Sequence, residues 1–222
     1  MKVILFGATG MVGQGVMREC LLAPDVDRVL AVGRTASGQR HERLRDLVAG
    51  DLFDLAPHAA DLTGFDACFF CLGVSSAGMG EPEYRRITKD LTLAVAGLLA
   101  RLAPGMTFVY VSGSGTDSTE HGRLMWARVK GETENALLRL PFKAVYLFRP
   151  AYIQPVHGVT SRTRWTRVLY RALGPFYPVW RALFPRWVTT TEQVGKAMLV
   201  AARRGAPKPV VENPDINALA GE

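Results

Sequence analysis

The chain has 222 residues, 48% of them hydrophobic and 21% charged, with a formal net charge of +7 at pH 7. That length supports one substantial core with a small appended region, and that balance excludes a disordered or fibrous chain. Three cysteines are too few for a disulfide framework, and the most apolar helical stretch, residues 91–102, carries Arg101 and is too short to span a bilayer.

The first thirteen residues read MKVILFGATGMVG. Residues 3–6 form an apolar run suited to a buried parallel strand, and the run breaks directly into Gly7, Gly10 and Gly13. In such a loop one glycine permits a sharp turn, one lets the backbone approach a pyrophosphate, and one lets the following helix pack on the strand. Thr9 adds a hydroxyl, and a helix starting near Met11 would aim its unpaired N–H groups and positive dipole end at the same point. Strand, glycine loop and helix in that order predict a dinucleotide site. Because the apolar run stops after four residues, it is not read as a secretory signal, and a cytoplasmic location is expected.

A crossover helix is predicted over 12–22, stopped near Ala23 and Pro24, and a second strand over 27–32. The residue after that strand lies beside the adenosine ribose; a carboxylate there favours a free 2′-hydroxyl and a cation favours a 2′-phosphate. Here it is Arg34, followed by Thr35, Ser37 and Arg40, so NADP(H) is expected in preference to NAD(H), which stays possible. A third strand is predicted over 44–48. Asp51 follows, read either as a partner of the adenine amine or as a loop cap.

Residues 66–72 read as a fourth strand, buried on both faces and ending at Gly73. Cys68 and Cys71 fall within it, and residues three apart on a strand point to opposite faces, so they read as buried small side chains; no metal site is expected. A helix over 81–102 ends at Pro104 and Gly105, and a fifth strand over 106–111 delivers Ser112 to the loop SGSGT. The next helix carries Trp126 and Lys130, four apart and on one face. A sixth strand covers 143–148. Strands alternating with helices predict an α/β doubly wound parallel sheet of the Rossmann kind, a single domain over 1–222.

Between Asn135 and Thr191 there is no Asp or Glu but nine Arg and Lys, so the basic character is regional. Within 160–187 arginines alternate with Trp165, Tyr170, Phe176, Tyr177, Trp180, Phe184 and Trp187, and Pro175, Pro178 and Pro185 divide the stretch into short pieces. Residues 151–190 read as an inserted substrate or lid region, with 160–187 also a possible homo-oligomer or protein interface. A membrane surface or nucleic acid is the lesser expectation. A helix over 188–203, capped by Thr189 to Thr191, and a short strand at Val210 and Val211 close the chain.

The sequences GATGMVG, Gly33-Arg34, Cys71-Leu72-Gly73, Val111-Ser112, Val129-Lys130-Gly131-Glu132 and Phe148-Arg149-Pro150 together resemble the atypical short-chain dehydrogenase/reductases, epimerase- and dehydratase-like proteins that include the Tat-interacting oxidoreductase branch. The resemblance weakens after about Gln154. It implies cofactor contacts from Gly7, Thr9, Gly10, Met11, Val12, Gly13, Arg34, Asp51, Leu52, Leu72, Gly73, Lys130, Pro150 and Tyr152. It also implies an active site of serine, tyrosine and lysine acting on a small carbonyl or hydroxyl substrate. Ser112 and Lys130 match their places, but the tyrosine place holds Trp126. Indole donates a hydrogen bond yet has no useful ionisation near neutral pH. Tyr84, Tyr110, His121 and Tyr152 are the substitutes the sequence offers, besides a solvent relay through Ser112 and Lys130. The expectations are therefore an NADP(H)-dependent oxidoreductase or epimerase-like enzyme, or a catalytically weak NADP(H)-binding sensor or scaffold.

Overall fold

The computed structural model describes residues 1–159 and 183–221. Much of the basic aromatic segment therefore lies outside the described residues. Strands β1 (Lys2–Phe6), β2 (Arg28–Gly33), β3 (Leu44–Val48), β4 (Ala67–Phe70), β5 (Thr107–Val111), β6 (Ala144–Arg149) and β9 (Val210–Glu212) form one parallel sheet in the order β3-β2-β1-β4-β5-β6-β9. Chain order reverses between β1 and β4, where a doubly wound sheet opens a crevice at its strand ends.

The two faces are built by strand alternation. From β1, Val3 and Leu5 enter one core with Val16 and Met17 of α1 (Met11–Leu22) and Val194 and Met198 of the later helix α5 (Thr191–Arg204). Ile4 and Phe6 enter the other, with Phe70, Phe108 and Leu99. There Phe6 and Phe70 place their ring centroids 5.3 Å apart, and Phe70 and Phe108 5.9 Å apart. On the first face α1 and α5 cross at close range: a Cβ at Gly15 would stand 2.6 Å from Thr191 Cβ, and one at Gly195 2.7 Å from Glu19 Cγ.

Three elements differ from the sequence expectation. The helix over 81–102 is α2 (Glu81–Arg85), a π-turn (Arg86–Asp90) and α3 (Leu91–Leu102). Residues Val188–Thr190 are a strand, β8, paired in parallel with β7 (Tyr152–Gln154), and the helix begins only at Thr191. Thr190 is its cap, its side chain accepting from Gln193 N at 3.0 Å. A last helix, α6 (Asn213–Leu219), follows β9 with a capping box between Glu212 and Asp215.

Candidate dinucleotide cleft

The chain leaves β1 through Gly7, whose φ of 82° suits glycine, and an added Cβ there would stand 2.7 Å from the Cys71 carbonyl carbon. Gly7 O accepts from Gly10 N at 2.9 Å and closes the turn. A Cβ at Gly13 would lie 2.0 Å from Gly7 O, so only glycine lets α1 sit this low on the strand. Gly10 is the N-cap of α1 and makes no side-chain cap, leaving the first-turn N–H groups for a ligand. A side chain on any of the three would fill the cradle or lift the helix. These residues fit a dinucleotide phosphate.

Above this loop opens a cleft of about 630 Å³, walled by the start of α1 and by the chain just beyond β4, β5 and β6. Of the sequence-predicted residues, Gly10, Met11, Val12, Leu72, Gly73, Ser112, Lys130 and Pro150 line it. Gly7 and Gly13 lie beneath it as supports, and the backbone carbonyl of Thr9 accepts from Gln14 Nε2 at 3.1 Å.

The remaining predicted residues stand elsewhere. Arg34 is exposed at the end of β2. Ser37 is already held by Asp46, which accepts from its N and its Oγ, each at 3.0 Å. Asp51 Oδ1 accepts from Phe53 N at 2.8 Å, the loop-cap alternative, and Leu52 is buried in the aromatic core, so its side chain serves packing. Tyr152 lies on β7 and donates from its hydroxyl to Gln154 Oε1 at 2.9 Å.

The loop after β5 carries the chemistry. Ser112 N donates to Phe148 O at 2.8 Å and Ser114 N to Pro150 O at 2.9 Å, stitching the loop to the end of β6. Ser112 lines the cleft, and its hydroxyl donates to Glu134 Oε1 at 2.5 Å, beside Phe148 O at 3.2 Å. Ser114, two residues on, lines the cleft and was not singled out from the sequence. The repeat of serine and glycine in SGSG was its one signal.

Glu134 and Arg149 form the buried ion pair behind this loop. Glu134 is 1% and Arg149 8% exposed. Arg149 Nε donates to both carboxylate oxygens at 3.1 and 3.2 Å, and its Nη2 also reaches Glu134. Arg149 further donates to Ser118 Oγ at 2.5 Å and to Glu212 Oε1 at 3.3 Å. Hydrogen bonds beyond the pair itself offset the cost of burying its charges, and Ser112, Ser118 and Glu212 supply them here.

Lys130 projects from α4 (Met125–Leu137) into the cleft. A Cβ at Gly131 would overlap Asp117 O at 1.7 Å, so that glycine lets α4 press against the loop and carries its neighbour inward. Lys130 Nζ donates to Ser112 O. Burial pushes its ammonium down to about 8, opposed by the Glu134 carboxylate one turn along. Trp126 is half-buried and stays off the cleft lining; its ring covers Gly115, where an added Cβ would meet Cη2 at 3.3 Å.

Sheet order, glycine cradle and cleft define a Rossmann fold. WbmF of Bordetella bronchiseptica, solved with NAD+, superposes with a TM-score of 0.66 at 16% identity, over 99% of this chain and 76% of that one. The dTDP-glucose 4,6-dehydratase DesIV of Streptomyces venezuelae, solved with NAD, gives 0.69 at 15% identity, over 99% and 80%. At such identities the likeness establishes the fold.

Among curated proteins the chain is similar to Protein fmp52, mitochondrial, of Emericella nidulans, 29% identical over 207 residues that span 90% of this chain and 86% of that one. Fmp52-1 of Aspergillus terreus is 28% identical over the same shares. No protein-family model matches. The curated relatives are named as mitochondrial, which overturns the cytoplasmic expectation. An apolar run cut short by a glycine loop does not fix a compartment.

Proposed function

We propose that the protein is an oxidoreductase or epimerase-like enzyme that uses a nicotinamide dinucleotide, NADP(H) in preference to NAD(H), on a small carbonyl or hydroxyl substrate. The observation that carries this reading is the glycine cradle opening into a cleft that holds Lys130 and Ser114 together. The pyrophosphate would rest on Gly10, Met11 and Val12, and the nicotinamide end would reach Lys130 beyond Leu72 and Gly73. Ser114 would donate to the substrate oxygen. Ser112 shapes the loop from behind through Glu134. The solved neighbours bound to NAD support a nicotinamide cofactor.

Preference for the 2′-phosphate rests on Arg34, exposed where the ribose would lie. The nearby carboxylate, Asp46, is already engaged by Ser37. Titrating the purified protein with NADPH and separately with NADH, by tryptophan fluorescence, tests both points. Binding of NADPH at least tenfold tighter than NADH supports them, and absence of binding by either removes the reading. A second reading, a cofactor-binding sensor or scaffold with little turnover, is favoured by Trp126 in the tyrosine place. It predicts tight NADPH binding with no reduction of aldehydes.

A further inference from the structure

Resting on the oxidoreductase reading, we propose that Lys130 is itself the proton donor of the cleft, delivering an ammonium proton to the oxygen of a bound carbonyl substrate. In the plan that the motifs resemble, the lysine assists a tyrosine. Here the tyrosine place is an indole packed on Gly115.

The tyrosines and the histidine that sequence offered as substitutes are placed elsewhere. Tyr110 is 1% exposed inside the aromatic core, where burial pushes its phenol well up. Tyr84 is equally buried, His121 is exposed, and Tyr152 hydrogen-bonds Gln154; none of them lines the cleft. Among the described residues that do, Lys130 and Cys71 are the two with ionisable side chains. Burial holds the Cys71 thiol far above its ordinary range, so it keeps its proton.

Lys130 has the geometry for the task. Its ammonium carries three protons, and the Ser112 carbonyl takes one. The nitrogen stands 4.0 Å from where a Gly113 side chain would begin, at the wall shared with Ser114. The charged groups around it are few. Glu134 faces it from its own helix, neutralised in part by Arg149 of β6; just beyond β5 the Ser112 carbonyl accepts from it, and the Cys71 thiol belongs to the same cleft lining. The resulting acidity, near pH 8, is that of a group able to give up a proton close to neutrality.

The step balances. A reduced nicotinamide dinucleotide supplies a hydride, two electrons and one hydrogen, to the carbonyl carbon, and the C=O π pair moves onto oxygen. An N–H bond of Lys130 breaks as the O–H bond forms. The products are the alcohol, the oxidised dinucleotide and a neutral Lys130 amine, which regains a proton from water. Glu134 is a positioning residue, holding the ammonium form against the cost of burial.

The test has two independent arms. Acetic anhydride labelling of the intact protein, read by peptide mass spectrometry from pH 6 to 11, gives the titration midpoint of each lysine without reference to turnover. Lys130 is expected to titrate near 8, against the ordinary lysine value of 10.5; a midpoint at that ordinary value overturns the proposal. The second arm follows NADPH-dependent reduction of 4-nitrobenzaldehyde. Wild-type kcat/KM is expected to fall tenfold per pH unit above the Lys130 midpoint. Lys130→Arg, which keeps the charge but cannot release a proton, is expected to hold NADPH within about threefold while losing about 10²-fold or more in kcat. Unchanged kcat in Lys130→Arg, or a wild type that binds NADPH and reduces no aldehyde, overturns Lys130 as donor and leaves cofactor binding standing. Failure of the wild type to bind NADPH instead removes the reading on which the proposal rests.

Discussion

Replacing Glu134 by leucine severs one side of the ion pair behind the cleft, and the structure sets the scale of the loss. The carboxylate is 1% exposed and receives Ser112 and both faces of the Arg149 fork, so its removal strands a guanidinium that is itself 8% exposed. Glu212, at 3.3 Å from Arg149 Nη1, is a partial replacement. Breaking a buried pair from one side costs about 3–5 kcal/mol. With an m-value of about 3 kcal/mol per molar urea, the unfolding midpoint should fall by about 1–1.7 M. The double variant Glu134→Leu with Arg149→Met leaves neither charge unpaired, and should recover at least about 2 kcal/mol relative to the sum of the single losses. Urea unfolding followed by far-ultraviolet circular dichroism measures all three. Additive single effects, or a loss under about 1 kcal/mol for Glu134→Leu, would refute the view that this pair is desolvated and coupled.

Gly13→Ala drives a Cβ into Gly7 O, a backbone atom that cannot rotate away, and should cost about 1–3 kcal/mol and most of the NADPH affinity; Gly73→Ala, where an added Cβ meets nothing within 4 Å, should leave stability within about 0.5 kcal/mol. Arg34→Glu should weaken NADPH at least tenfold and spare NADH, with the difference shrinking as salt rises; equal effects on both would place the 2′-phosphate elsewhere. Glu132 is held at about 2 by hydrogen bonds from Arg85 and then Lys89. Because its pKa is depressed in the folded state, its contribution is complete above about pH 4.5 and is lost as pH falls toward 2. Glu132→Gln should thus cost about 1 kcal/mol at pH 7 and nothing near pH 2; a pH-independent difference between wild type and variant would deny the carboxylate that role.

What could be read from the sequence was what is encoded locally. Periodicity and glycine spacing placed β1, the phosphate loop and α1, and every strand of the main sheet, within a residue or two of where they lie. What escaped depends on distant partners. Val188, Thr189 and Thr190 read as a helix start because threonines cap helices; they extend instead because Tyr152, Ile153 and Gln154 offer an edge to pair with. The π-turn at Arg86–Asp90 lies inside an unbroken helical pattern, one face of which is tied to α4 through Glu132. Leu52 was grouped with its polar neighbour Asp51, and only the packed core shows that the two point to different environments.

The serine loop shows why matching a motif is weaker than placing an atom. Ser112 occupies its expected place in the chain, yet a carboxylate 22 residues later takes its hydroxyl, and the carboxylate is fixed there by an arginine from a different strand. Lys130 depends on the same arrangement: the Ser112 carbonyl binds its ammonium, and Glu134 tempers the effect of burial on its charge. Serine, glutamate, arginine and lysine are therefore joined in one network, and burial disfavours the charge of the lysine at its cleft end. The Trp126 ring packs over Gly115 and stays off the cleft lining, so its place here is in the packing of the loop.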